Sequence, residues 1–185
     1  MILLLIGLLL FLAIHLMPAF PGLRAGLVER LGSEARYLAL FTLVIVIAVI
    51  MLAVGLREAE YVPLWGQITY GRELAPLLMG LSVFFVSAAY VPNNLHRLVQ
   101  NPMLWGVVFW SAAHLLVAGH LAAVLLFGGL GAYALYAIFF RGGRRDWQSP
   151  VPRPWPWDLL TVVVAFVVYM ALLWLHPYLF GVSVI

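Results

Sequence analysis

Residues 101–120 read NPMLWGVVFWSAAHLLVAGH, and how this stretch is read decides the fold. It is apolar over the ~20 residues a helix needs to cross a bilayer. Yet it contains His114 and His120 together with Trp105 and Trp110. An imidazole is costly to bury in hydrocarbon, so a histidine inside such a run marks a functional position by default. One turn around His114 lie Trp110 at i−4 and Ser111 at i−3, with Val107 and Gly106 further down. An aromatic wall beside a small residue forms a slot for a flat ring. Ordinary interhelical packing, with the indole facing lipid, accounts for the same residues. Pro102 suits the first turn of this helix because its ring fixes φ.

The same apolar character runs outward in both directions. The 185 residues are 65% hydrophobic and only 9% charged, which is no soluble composition and leaves no stretch for a separate soluble domain. The reading is a single transmembrane domain over 1–185, an all-α integral membrane protein with a bundle of six transmembrane helices. The spans fall at about 2–20, 37–56, 73–91, 102–118, 121–140 and 158–179. The first lacks a positively charged n-region and an A-x-A site, so it reads as a retained span and not a signal peptide. Residues 21–36 read as a short polar loop. Only Ala118-Gly119-His120 separates the fourth and fifth spans, which makes them antiparallel neighbours. The Gly128-xxx-Ala132 spacing invites close approach of another backbone or a flat ligand. Asp158 is placed to cap the sixth span, and no internal repeat is evident.

Charge sets the expected orientation. All ten basic residues are arginine. Arg24, Arg30, Arg36, Arg97, Arg141, Arg144, Arg145 and Arg153 fall in loops on one face, and only Arg57 and Arg72 on the other. Eight against two is a positive-inside bias that puts both termini on the outer, periplasmic side of a bacterial inner membrane. The cations follow the loops and form no patch for nucleic acid, so the expected partner is the lipid bilayer. The chain contains no lysine, which excludes a lysine Schiff base. It contains no cysteine, which excludes disulfides, Fe–S clusters and thiolate-held haem or zinc.

Five histidines are the natural place to look for chemistry. His96 lies in an arginine-bearing loop and reads as solvated or lipid-facing. His120 sits at a turn, where a polar residue caps the next helix, and His176 reads as interfacial. His15 and His114 lie inside apolar runs, and two readings stand for them. Neutral imidazoles hydrogen-bond between membrane helices; alternatively the pair ligates a metal. Carboxylates are too few in the spans for zinc or a di-iron site, whereas a haem needs one or two axial nitrogens and an apolar slot. At ~1.5 Å rise per residue the two Cα atoms fall roughly 10 Å apart in depth, so a shared haem would be tilted from the membrane normal.

Four segments carry a family likeness: IHLMP (14–18), LRAGLVERLGSEARYLALF (23–41), LWG (64–66) and NPMLWGVVFWSAAHLLVAGHLAAVLLFG (101–128). In them the chain resembles the NnrU family and, through it, the zeta-carotene isomerases, whose pattern HPM…WxxAHLLxNGDLAxLLLFG is similar to the last segment. Asn101 stands where the pattern has histidine, and Ala118-Gly119-His120 where it has Asn-Gly-Asp. The resemblance implies a haem b protein with His15 and His114 as axial ligands, Trp110 beside the ring, and a redox, sensing or maturation role in denitrification and nitrogen-oxide metabolism. Arg24 and Arg36 would then pair with the haem propionates. A haem-dependent cis–trans isomerase of a carotenoid-like polyene, a hydrophobic small-molecule substrate, is the alternative. A cofactor-free structural or assembly subunit is the third. A Pro-x-x-x-Gly segment also resembles isoprenylcysteine-type methyltransferases, but the paired glutamates that family uses downstream are missing.

Overall fold

The structure, a computed structural model, describes residues 1–66, 68–141 and 149–182. Nearly all of this backbone is helical. In hydrocarbon each N–H and C=O must find a partner within the protein, and a helix supplies those partners within one segment. The helices are α1 (Ile2–Leu16), α2 (Pro21–Leu31), α3 (Glu34–Arg57), α4 (Gly71–Tyr90), α5 (Pro102–Val117), α6 (Leu121–Arg141) and α7 (Pro156–Phe180). No strand occurs among the described residues; one isolated bridge pairs Pro63 with His120.

Four helices, α3, α4, α6 and α7, are each long and apolar enough to cross a membrane, and α1 with α2 makes a fifth candidate bent by 96°. Helix α5 is apolar, but its 16 residues reach only about 24 Å at the α-helical rise. Arg144 and Arg145, counted above in the loop before the last span, lie outside the described residues.

The expected loop over 21–36 is instead mostly helix. The signals for α2 stand in the sequence: Pro21 occupies the first helical position. Gly32 ends the helix in the left-handed region at φ 78°, its N–H bonding to the Val28 and Glu29 carbonyls. Ser33 then caps α3, its hydroxyl accepting from the Arg36 N–H. One Gly-Ser pair both stops a helix and starts the next.

The chain divides into two compact units. The first combines Met1–Gly66 with Ala118–Leu130, and so holds α1, α2, α3 and the beginning of α6. Helices α1 and α3 run antiparallel and touch backbone to backbone. A Cβ at Gly55 would lie 2.7 Å from the Leu4 Cα, and one at Gly7 would lie 2.9 Å from the Met51 Cβ. Leu4 and Ala48 are completely buried at this crossing. Gly129 on α6 receives the Leu8 side chain at 3.1 Å from its would-be Cβ.

The second unit combines residues 67–117 with 131–185. Here α4 and α5 are antiparallel. Gly106 faces Val86 so closely that a Cβ would stand 2.6 Å from its methyl, and Gly71 meets the Leu116 carbonyl at the same 2.6 Å. Helix α7 lies along α4, where the Tyr169 hydroxyl donates to the Pro76 carbonyl at 3.0 Å. Only 11% of the apolar window of α7 is buried, against 50% for α6, so α7 offers most of its surface to lipid.

Helix α6 contains two π-helical stretches, Val124–Gly128 and Ala137–Arg141. Their i→i+5 bonding shifts the side-chain period. This is why the expected Gly128-xxx-Ala132 face is not the one closely approached. A Cβ at Gly128 would find nothing nearer than 3.8 Å, and Ala132 is exposed. Gly129 and Gly131 take the close contacts instead.

Gly55→Val should therefore force α1 from α3 and cost about 1–3 kcal/mol, the range for an overpacked core. Gly26→Ala on α2 has open space and should be neutral or stabilising by up to ~1 kcal/mol. Thermal unfolding of the two variants in the same detergent, followed by circular dichroism, checks the contrast.

Candidate functional site

The histidines sort by which ring nitrogen carries the proton. His15 on α1 places Nδ1 2.8 Å from the Phe11 carbonyl, and His114 on α5 places Nδ1 2.8 Å from the Trp110 carbonyl. A carbonyl oxygen only accepts, so Nδ1 donates in both rings and Nε2 carries the lone pair. In each case the partner lies four residues back, in the turn toward which helical side chains tilt. The Nδ1–H bond to a backbone carbonyl is also the arrangement that orients metal-ligating imidazoles.

Aromatic rings flank both. His15 stacks on Phe11 with centroids 4.0 Å apart and lies 6.2 Å from Phe41 on α3. His114 lies 5.0 Å from the Trp110 indole, tilted by 55°. Both histidines and Trp110 are half-buried. On the same face of α5, one turn before His114, the Ser111 hydroxyl is buried without a hydrogen-bond partner among the described residues. It packs at Gly131, where a Cβ would come within 2.9 Å of the Ser111 Cβ.

The other three histidines are differently engaged. His120 is the N-cap of α6, its Nδ1 accepting from the Ala123 N–H at 3.3 Å, as the turn position led us to expect. His96, expected to be solvated or lipid-facing, instead donates from Nε2 to the Ala88 carbonyl at 2.8 Å. His176 donates from Nδ1 to the Val182 carbonyl at 2.7 Å and lies 4.9 Å from Phe180. Among the described residues no group of three or more His, Asp or Glu side chains converges as a metal would require.

Arg24 and Arg36, the expected propionate partners, both have protein partners near the α2–α3 junction. Arg24 forms an ion pair with Glu34 and lies 5.3 Å over the Tyr37 ring. Arg36 donates from Nη1 to the Leu31 carbonyl at 3.2 Å. Beside them an apolar cleft of about 70 Å³ opens between the end of α1, α2 and α3, lined by residues including Ile14, Leu27, Tyr37 and Phe41.

Two polar assemblies were not read from the sequence. In the first unit, the loop before residue 66 clamps onto the turn that opens α6. The Leu64 and Trp65 N–H groups both donate to the Gly119 carbonyl, at 2.8 and 3.1 Å, and the Leu121 N–H donates to the Val62 carbonyl at 2.8 Å. Tyr61 stacks obliquely on His120 at 5.3 Å. Two of the segments quoted above, LWG and AGH, thus meet in space, a pairing that only the fold reveals.

In the second unit, Asn94 donates from its backbone N–H and its Nδ2 to the two carboxylate oxygens of Asp158, at 2.8 and 2.7 Å. It also exchanges bonds with the Arg153 backbone. The N-cap of α7 is Trp155, so Asp158 holds the Asn94 loop and does not cap its own helix. Neighbouring Asn93 is buried and donates to the Ala88 carbonyl at 2.7 Å. The Asn93-Asn94 pair before a short helical turn was the available signal.

A described backbone that is nearly all helical, with four apolar helices of bilayer length, defines an integral membrane protein; its carbonyl-held imidazoles His15 and His114 lie on the shorter apolar helices α1 and α5. The profile of the NnrU protein family matches residues 3–184, nearly the whole chain, and the protein belongs to that family. No curated protein and no solved structure matches it.

Gly119 is where the clamp is tightest: a Cβ there would stand 2.5 Å from the Trp65 carbonyl oxygen and 2.6 Å from its indole nitrogen. Gly119→Ala should open the clamp and destabilise the protein by about 1–3 kcal/mol. Limited proteolysis of the 58–66 loop, faster in the variant than in the parent, reads that opening directly.

Proposed function

We propose that this protein binds haem b in the membrane and serves nitrogen-oxide metabolism as a redox, sensing or maturation component, with His15 and His114 as iron ligands. The observation that carries the reading is the shared state of the two imidazoles. Each donates Nδ1–H to the carbonyl four residues back, at 2.8 Å, and so presents Nε2 as the basic nitrogen. His96 and His120 hold the opposite tautomer, with the proton on Nε2; His176 also donates from Nδ1, but to the Val182 carbonyl six residues ahead and not to the turn before it. The donor set fits haem better than a hard or tetrahedral ion, because two neutral nitrogens among aromatic and aliphatic side chains suffice for an iron already held by a porphyrin.

A bound haem would supply one-electron chemistry or a coordination site for a small diatomic ligand. The residues' part is to hold and exclude. Phe11, Phe41 and Trp110 keep water from the imidazoles, and the carbonyl bonds fix ring rotation. Arg24 would have to leave Glu34 to meet a propionate, so the reading rests on the imidazoles and not on the arginines.

In this reading the chain crosses the bilayer six times, with α1 and α5 as short spans and both termini outside. The arginine asymmetry between loops supports that orientation. The chain has no cysteine, so single-cysteine labelling in intact cells is clean. Glu60→Cys should react with a membrane-impermeant maleimide, and Arg97→Cys only after permeabilisation. Labelling of both from one side would remove the six-span orientation.

The haem assignment is tested by absorption spectra of purified protein, oxidised and then reduced with dithionite. A Soret band with sharp reduced α and β bands is expected for bis-histidine haem b. His15→Ala and His114→Ala should each lose most of the haem, while His96→Ala and His120→Ala retain it. Equal haem in all four variants, or none in the parent after growth with ample haem, overturns the reading.

A further inference from the structure

We propose that the α1–α2–α3 elbow is a binding site for one anionic phospholipid of the surrounding bilayer, with an acyl chain in the apolar cleft and the phosphate among Arg24, Arg30 and Arg36. This goes beyond the haem reading and does not depend on it.

Three observations converge. First, α2 leaves α1 at 96°. If α1 runs along the membrane normal, α2 runs across it, and its exposed residues include both Leu23, 55% exposed, and Arg24.

Second, the cleft has the chemistry of an acyl chain. Ile14 and Met17 line it from the α1 end, Leu27 and Leu31 from α2, and Tyr37 and Phe41 from α3. None of these side chains carries a charge. A volume of about 70 Å³ admits a length of hydrocarbon but no headgroup.

Third, guanidinium groups lie against two of the lining residues: Arg36 bonds the Leu31 carbonyl, and Arg24 lies over the Tyr37 ring while ion-paired with Glu34, a partner that the lipid phosphate would displace. Arg30 adjoins Leu31, is exposed, and has no ion-pair partner among the described residues. Residues 21–37 hold three arginines against Glu29 and Glu34, an excess of one positive charge that a lipid phosphate would complement.

The test uses native mass spectrometry of the full-length protein in detergent, titrated separately with phosphatidylglycerol and phosphatidylcholine of identical acyl chains. One phosphatidylglycerol should be retained in clear preference. Arg30→Ala should weaken that retention roughly fivefold, and Arg24→Ala with Arg30→Ala by roughly the square of that factor, the scale expected of single cations at a lipid surface. Leu27→Trp, which fills the cleft while leaving every arginine in place, should reduce retention of the same lipid; circular dichroism confirms that it folds, and Leu27→Phe is the milder substitute where it does not. Equal retention of both lipids overturns the proposal. So does unchanged phosphatidylglycerol retention in the arginine variants. If those variants lose Soret absorbance but not lipid, the arginines serve a haem carboxylate and the lipid site is refuted. Loss of lipid preference with intact absorbance supports the site whatever becomes of the haem.

Discussion

Lipid tails are as apolar as leucine, so burying a leucine between two membrane helices gains little over leaving it in the bilayer. What remains to hold helices together is close contact between backbones, and in this protein glycine provides it. Gly7 and Gly55 bring α1 onto α3; Gly71 and Gly106 bring α4 onto α5; Gly131 admits Ser111. At each of these five positions a single Cβ would fall inside the contact distance of a neighbouring atom. The two units are built on that one device. The exposed leucines and valines of α3 and α7 are solvated by acyl chains and ask for no protein partner.

Much of the fold was legible because the bilayer imposes a length. Apolar runs at 37–56, 73–91, 121–140 and 158–179 announced α3, α4, α6 and α7, and their ends fall within a few residues of the structure's. The first run was overextended: hydropathy continues through Met17-Pro18-Ala19-Phe20, but Pro18 and Pro21 break the helix and turn the chain. Helix α2 was hidden because its arginines and glutamate lower the hydropathy, although its Pro21 start and Gly32 stop were both visible. The face of α6 was misassigned for a different reason. A period of 3.6 was assumed for a helix that twice adopts π bonding, and no residue type signals a π turn.

The site was legible in part. Burial cost singled out His15 and His114, and the structure adds what sequence cannot express, the proton position implied by each carbonyl bond. The His120 cap was readable from its place at a turn. The Gly119–Trp65 clamp was not, since its partners are more than fifty residues apart and are joined through backbone atoms, whose pairing no residue type announces. The Asn94–Asp158 pair has the same character, two polar residues from distant loops whose complementarity appears only after folding.

The π segments of α6 have one more consequence. A π turn is an α-helix with one residue inserted and absorbed, and removing that residue restores the ordinary ladder. Deleting one residue within 124–128 would let that turn revert to α bonding and leave the later side chains of α6 near their present azimuth. A deletion in the α-helical stretch Gly129–Tyr136 has no such slack, and would turn everything beyond it by about 100°. The π turns are thus the places where α6 can change length and keep its faces aligned.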